Sequence, residues 1–110
     1  IFSDYPMVEE RLKAIGGNVN DFNLLVSSES FGALKPAPRP FLEISAKLNI
    51  SPENILVIGD RNDTDGLGAE SAKMKFIQTE SHKTKGDKTV ISWVELKKEF
   101  EKEFLNSKVD

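Results

Sequence analysis

Ile55-Leu56-Val57-Ile58-Gly59-Asp60 is the stretch that decides the fold. Four apolar residues in a row, with no polar alternation, read as a strand covered on both faces, the habit of a parallel sheet. Gly59-Asp60 ends that strand abruptly, and the small residues Gly66, Gly68, Ala69 and Ala72 mark a helix that carries the chain back. Phe76-Ile77 is the next short strand. Upstream, Ser51-Pro52-Glu53 makes a turn. The helix before it has Phe41, Ile44, Ala46 and Leu48 as its apolar face and opens from the proline-rich loop Lys35-Pro36-Ala37-Pro38-Arg39-Pro40. Phe22 to Val26 reads as a short buried strand closed by Ser27-Ser28-Glu29-Ser30. Val8, Leu12 and Ile15 recur at helical spacing between Pro6 and the stop at Gly16-Gly17. Ile1-Phe2 reads as the end of a strand whose beginning lies upstream. At the other end, Ser81 to Lys88 is a charged, turn-prone loop. A last helix starts at Ser92 with Glu95 as capping-box partner, Ile91 before the cap, and a stripe of Trp93, Leu96, Phe100 and Phe104. Strands alternating with helices predict a doubly wound α/β sheet.

The composition narrows the chemistry. One hundred and ten residues, 38% hydrophobic and 30% charged, make one small globular domain at most. The absence of cysteine removes disulfides, thiolate nucleophiles, Cys-ligated zinc and iron–sulfur clusters. With His82 the single histidine, multi-His metal sites are excluded as well. A formal charge of −3 offers no electropositive footprint, which argues against nucleic acid. The longest apolar run, Ile55 to Ile58, is far short of the roughly 20 residues of a membrane span, and the expected compartment is the cytoplasm. What remains is carboxylate, lysine and hydroxyl chemistry, suited to a hard cation such as Mg²⁺ and to a phosphorylated ligand.

In an open α/β sheet, ligands sit beyond the carboxyl ends of the strands. Ser3-Asp4, Lys35 and Gly59-Asp60 all fall at or just past such ends, and Asp65 lies five residues beyond Asp60 with Asp63 between. A hydroxyl, an ammonium and two or three carboxylates thus converge on one edge if the strands are parallel neighbours. Singly, each has a plain explanation: Ser3, Asp4 and Asp60 as caps, Lys35 as a solvated side chain, Asp63 and Asp65 as helix-start acids. Their order along the chain makes the case. His82 and the lysines at 73, 75, 83, 85 and 88 read as surface, Trp93, Phe100 and Phe104 as core, and Ser27, Ser28 and Ser30 as lacking a base.

The same residues resemble the haloacid dehalogenase (HAD) superfamily of hydrolases, mostly Mg²⁺-dependent phosphatases. Ile1-Phe2-Ser3-Asp4 is similar to its hydrophobic strand ending in Ser or Thr. Lys35-Pro36 with Pro38 and Phe41 is similar to its lysine motif. Val57-Ile58-Gly59-Asp60-Arg61-Asn62-Asp63-Thr64-Asp65 is similar to its acidic motif, Gly-Asp-x-x-x-x-Asp after a strand. The resemblance runs from Ile1 to about Ile77. It implies that Ser3, with the backbone beside Asp4, binds the phosphoryl group and that Lys35 neutralises the nucleophile and phospho-enzyme. Asp60 is implied as a Mg²⁺ ligand, and Asp65 as a metal-site carboxylate of the outer shell or one that orients the lysine.

The family's nucleophile is the first Asp of an Asp-x-Asp motif upstream of the Ser motif, on the central strand of the sheet. The resemblance therefore implies that residues 1–110 are the C-terminal portion of a Rossmann-like core domain, incomplete at its central strand and without its cap. The parent would be a phosphatase acting through an aspartyl-phosphate whose Asp lies upstream. The isolated chain would be inactive, ordered only with the N-terminal segment or a second copy filling the gap. Two alternatives stand beside this: a non-catalytic α/β interaction module keeping a relic acidic pocket, and a carbon–halogen hydrolase. The second needs no Mg²⁺, so Asp60 and Asp65 favour phosphate.

Overall fold

Strand β1 (Phe2–Ser3) runs parallel to β2 (Val26–Ser27), with Phe2 opposite Val26 and Ser3 opposite Ser27. The Ile1 nitrogen donates to the Leu24 carbonyl at 2.8 Å and the Val26 N–H to the Ile1 carbonyl at 3.0 Å, which extends the pairing by one residue. Strand β3 (Leu56–Gly59) runs parallel to β4 (Lys75–Gln78), in register from Leu56 opposite Lys75 to Gly59 opposite Gln78. The structure, a computed structural model, describes the backbone of residues 1–81, 84 and 90–109 and side chains as far as residue 102. His82, the lysines at 83, 85 and 88, most of the Ser81–Lys88 loop and the Phe104 side chain lie outside the described residues.

The α/β class expected from the sequence holds, as parallel strand pairs joined through helices. A single sheet is not formed: among the described residues the strands make two separate pairs, β1 with β2 and β3 with β4. Between the pairs, Phe2, Phe41, Ile44 and Ile55 to Ile58 line a cavity of about 260 Å³ whose polar rim is Lys35 and Asp65. Phe22 to Val26 is not one strand. Pairing starts only at Val26, because β1 offers so short a partner, and Phe22 is exposed. The segment before it forms a short 3₁₀ turn, Val19–Asp21, capped by the Asn18 side chain.

Helix α1 (Val8–Ala14) ends where the Gly16 and Gly17 N–H groups donate to the Lys13 and Leu12 carbonyls at 3.0 and 2.9 Å. Gly16 stands at φ 86°, a conformation open to glycine at no steric cost. Ile15, by contrast, points into solvent. Helix α2 (Pro38–Leu48) buries Phe41 and Ser45, with Ile44 and Leu48 half-buried. Ala46, expected on the apolar face, is exposed, because the i, i+3, i+4, i+7 stripe from Phe41 passes through Ser45 instead. The Ser45 hydroxyl is satisfied by donating to the Ile50 carbonyl. The Lys35–Pro36 peptide preceding this helix is cis.

After β3, a π-helical turn (Asn62–Gly66) leads into α3 (Leu67–Ser71). Its small residues let it lie directly on α2: a Cβ on Gly68 would stand 2.5 Å from Phe41 Cζ. Phe41, Ala69, Ala72 and Met74 form the core, bordered by Phe2, Ile55, Val57 and Phe76. Strand β3 sets Val57 against this core, and on its other face Ile58 is half-buried. Leu56 is 38% exposed, so the two-sided burial expected of this strand is not present among the described residues. Helix α4 (Trp93–Val109) begins as expected, with the Ser92 hydroxyl accepting from the Glu95 N–H at 3.2 Å. Of its expected stripe only Leu96 is buried. Trp93 and Phe100 are 59% and 48% exposed, since no described element covers them.

The chain exposes 8052 Å². A compact monomer of 12.3 kDa has about 6,100 Å². No described helix is long and apolar enough to cross a membrane.

Candidate functional site

The C-terminal ends of β1, β2 and β3 carry the polar residues singled out in the sequence. Asp4 follows β1, and its Oδ1 accepts the Lys35 backbone N–H at 3.1 Å. The same oxygen accepts the hydroxyl of Ser28, the first residue after β2. From this anchored backbone the Lys35 side chain reaches across to Asp65, with Nζ 2.7 Å from Oδ1. The two side chains are only 12% and 14% exposed, so this ion pair is largely withdrawn from water. The Lys35 ammonium also lies 5.0 Å from the centre of the Phe2 ring, within cation–π range. Phe2 is in turn braced edge-on by Phe31 and Phe41, at ring separations of 6.1 and 5.3 Å.

Asp65 owes its position to Gly59. It lies over the glycine so closely that any side chain there would meet it. Asp60, at the tip of β3, is exposed, and its backbone carbonyl accepts from Gln78 Nε2 at 3.3 Å. Asp63 points away onto Arg61, which holds it by a two-pronged contact of 3.1 and 2.8 Å. Hydrogen bonding to Asp63, followed by its charge, pushes the Arg61 pKa above its usual value, so this guanidinium stays charged. Ser3 uses its hydroxyl oxygen to accept the Tyr5 N–H at 3.0 Å, a local turn contact.

Of the residues expected at the site, Asp4, Lys35 and Asp65 are thus joined directly. Ser3 and Asp60 flank them from the ends of β1 and β3, with no hydrogen bond or ion pair to them among the described residues. Two members were missed in the sequence. Phe2 reads there as plain strand, and Ser28 as a serine without a base. The register supplies the signal for Ser28: with Phe2 opposite Val26 and Ser3 opposite Ser27, the next pair is Asp4 and Ser28.

The donor chemistry suits a hard divalent cation. Asp60 offers an exposed carboxylate, and Mg²⁺ is commonly held by one or two carboxylates with waters and substrate phosphate oxygens completing its shell. Asp65 Oδ1 is already engaged by Lys35, which favours an outer place for this residue. Among the described residues no three His, Cys, Asp or Glu side chains form a protein-only cage.

Comparison with known proteins bears on the family of the chain. A glyceraldehyde 3-phosphate phosphatase from Methanopyrus kandleri is 39% identical over 57 residues, which cover 52% of this chain and 24% of that protein. The aligned part of this chain thus spans about a quarter of the length of its curated relative. The HAD-hydrolase-like family profile matches residues 33–94, a segment holding Lys35, Gly59, Asp60 and Asp65. With more than half of its length inside that profile, the chain belongs to the HAD-hydrolase-like family.

Proposed function

We propose that the protein is a Mg²⁺-dependent phosphatase that hydrolyses a phosphorylated small molecule through an aspartyl-phosphate. The single observation carrying this is the withdrawn Lys35–Asp65 pair, 2.7 Å long, at the strand edge beside Asp60. The ammonium balances Asp65, and from the strand edge it can also meet arriving negative charge, for which a phosphoryl group is suited. The relative's name, a glyceraldehyde 3-phosphate phosphatase, supports a small phosphomonoester as the substrate class.

In this scheme Lys35 offsets charge on the attacking carboxylate and on the phosphoryl oxygens, while Asp65 keeps it aimed. Ser3 and the backbone beside Asp4 hold phosphoryl oxygens. Asp60 would hold Mg²⁺, which when bound supplies charge neutralisation at the phosphate. The nucleophilic Asp comes from polypeptide outside these 110 residues. The apolar cavity between β1 and β3 suits a strand running parallel to both, whose carboxyl end would lie beside Lys35. Such a strand would merge the two pairs into one doubly wound sheet and make residues 1–110 the C-terminal portion of the core domain.

The test is turnover of a panel of phosphate esters by the full-length protein and by residues 1–110 alone, with and without Mg²⁺. The expected result is Mg²⁺-dependent hydrolysis by the former and none by the latter. Hydrolysis by residues 1–110 alone would overturn the external nucleophile. A full-length protein with no turnover, and no calorimetric response to Mg²⁺ or phosphate, would point to a non-catalytic module.

A further inference from the structure

One carboxylate oxygen ties three segments together. Asp4 Oδ1 accepts both the Ser28 hydroxyl and the Lys35 N–H, so the end of β1, the turn after β2 and the lysine loop meet at a single atom. Ser28 is 2% exposed, and its buried hydroxyl is satisfied by Asp4. On the far side Lys35 Nζ reaches Asp65, on the turn that follows β3. The two strand pairs share no ladder hydrogen bonds. At their carboxyl edge, the Lys35 side chain is what crosses between them.

We infer that Asp4 and Ser28 are positioning residues for Lys35. The Ser28 hydroxyl orients the Asp4 carboxylate, Asp4 fixes the Lys35 backbone, and this sets how the ammonium meets Asp65. The role differs from the phosphate binding expected of the Asp4 segment, because the Asp4 carboxylate is already committed to Ser28 and Lys35. What Asp4 contributes is an acceptor at a fixed point. An amide oxygen in the same place can serve, whereas a methyl group cannot. The chemical purpose of the arrangement rests on the phosphatase proposal, but the placement of Lys35 is measurable without turnover.

The experiment uses the full-length protein and its Asp4→Ala, Asp4→Asn and Ser28→Ala variants. Each is acylated with limiting acetic anhydride across a pH series, and modification of Lys35 is followed by peptide mass spectrometry. A lysine freed from Asp65 reacts faster. Asp4→Ala and Ser28→Ala should raise the Lys35 rate about tenfold, and Asp4→Asn should return it to within about twofold of wild type. If phosphatase activity is present, kcat in Asp4→Ala should fall by about 10²-fold with KM little changed, as for a misplaced catalytic group. Unchanged Lys35 reactivity in Ser28→Ala, in a protein keeping its circular dichroism, would overturn the inference. So would an Asp4→Asn protein as reactive as Asp4→Ala. Should Asp4→Ala fail to fold, Ser28→Ala, which removes one oxygen atom, decides the matter. A wild-type protein without phosphatase activity would defeat the functional proposal alone, and the acylation rates would still settle the positioning role.

Discussion

Asp65 sits so close over Gly59 that a Cβ on the glycine would come within 2.6 Å of Asp65 Cγ and 2.8 Å of Asp65 Cβ. The glycine is required by this approach of a side chain; its φ is not among the left-handed ones. Gly59→Ala should therefore displace Asp65 and break its contact with Lys35. The expected destabilisation is about 1–3 kcal/mol, typical of overpacking. A urea midpoint equal to that of wild type in the full-length protein would show that the turn yields without loss.

Replacing Lys35 tests function and burial together. Lys35→Ala leaves Asp65, 14% exposed, without its cation. Turnover by the full-length protein should fall by about 10²–10³-fold, the scale of losing one preorganised charge-stabilising group. Lys35→Arg should not restore it, because a planar guanidinium cannot reproduce a compact ammonium packed over Phe2. Steady-state kinetics on both variants check this: near-normal rates in Lys35→Ala would remove Lys35 from the machinery, and near-normal rates in Lys35→Arg would show that a cation of either shape serves.

Asp60 is exposed, so its loss should cost little structure. Asp60→Asn should leave the unfolding midpoint unchanged, within about 0.5 kcal/mol. The concentration of Mg²⁺ giving half-maximal turnover should rise about tenfold or more, as expected on losing a charged oxygen donor. Chelation of the wild-type protein should abolish activity and added Mg²⁺ should restore it. An unaltered Mg²⁺ response would reassign the metal ligand.

The gap between β1 and β3 leads to a folding experiment. Residues 1–110 alone should unfold without a sharp cooperative transition, because strand edges and apolar surface lie open on both sides of the cavity. Supplying the preceding segment of the same protein as a separate polypeptide should sharpen the transition and raise its midpoint. A steep, concentration-independent melt of the chain by itself would refute the proposed additional strand, and a melt that steepens with concentration would name a second copy as the occupant.

What the sequence made legible follows physical locality. Gly59-Asp60 and the Ser92–Glu95 cap are set by neighbours a few residues away and stand where the spacing put them, while the small-residue helix forms only as Leu67–Ser71, with Gly66 in the preceding turn and Ala72 at its cap. Burial is another matter. The run Ile55 to Ile58 and the stripe of Trp93 and Phe100 are apolar whether or not anything covers them, and covering is settled by distant elements. Ala46 lost its expected place to Ser45 because the helical stripe follows geometry rather than polarity, and a carbonyl at Ile50 was there to satisfy the hydroxyl. Ser28 was invisible for a related reason. Its importance rests on the pairing of β1 with β2, which is 24 residues away along the chain.

The Lys35 side chain is held at both ends, by Asp4 at its backbone and by Asp65 and the Phe2 ring at its tip. A free lysine carries about 2 kcal/mol of rotamer entropy. Here that freedom is surrendered when the chain folds, so in the proposed phosphatase an arriving anion would meet an ammonium already at rest. Binding then escapes the cost of immobilising a long side chain, about 0.5–1.5 kcal/mol at a typical interface. The thermodynamic signature of this lysine is thus a less unfavourable binding entropy, set during folding.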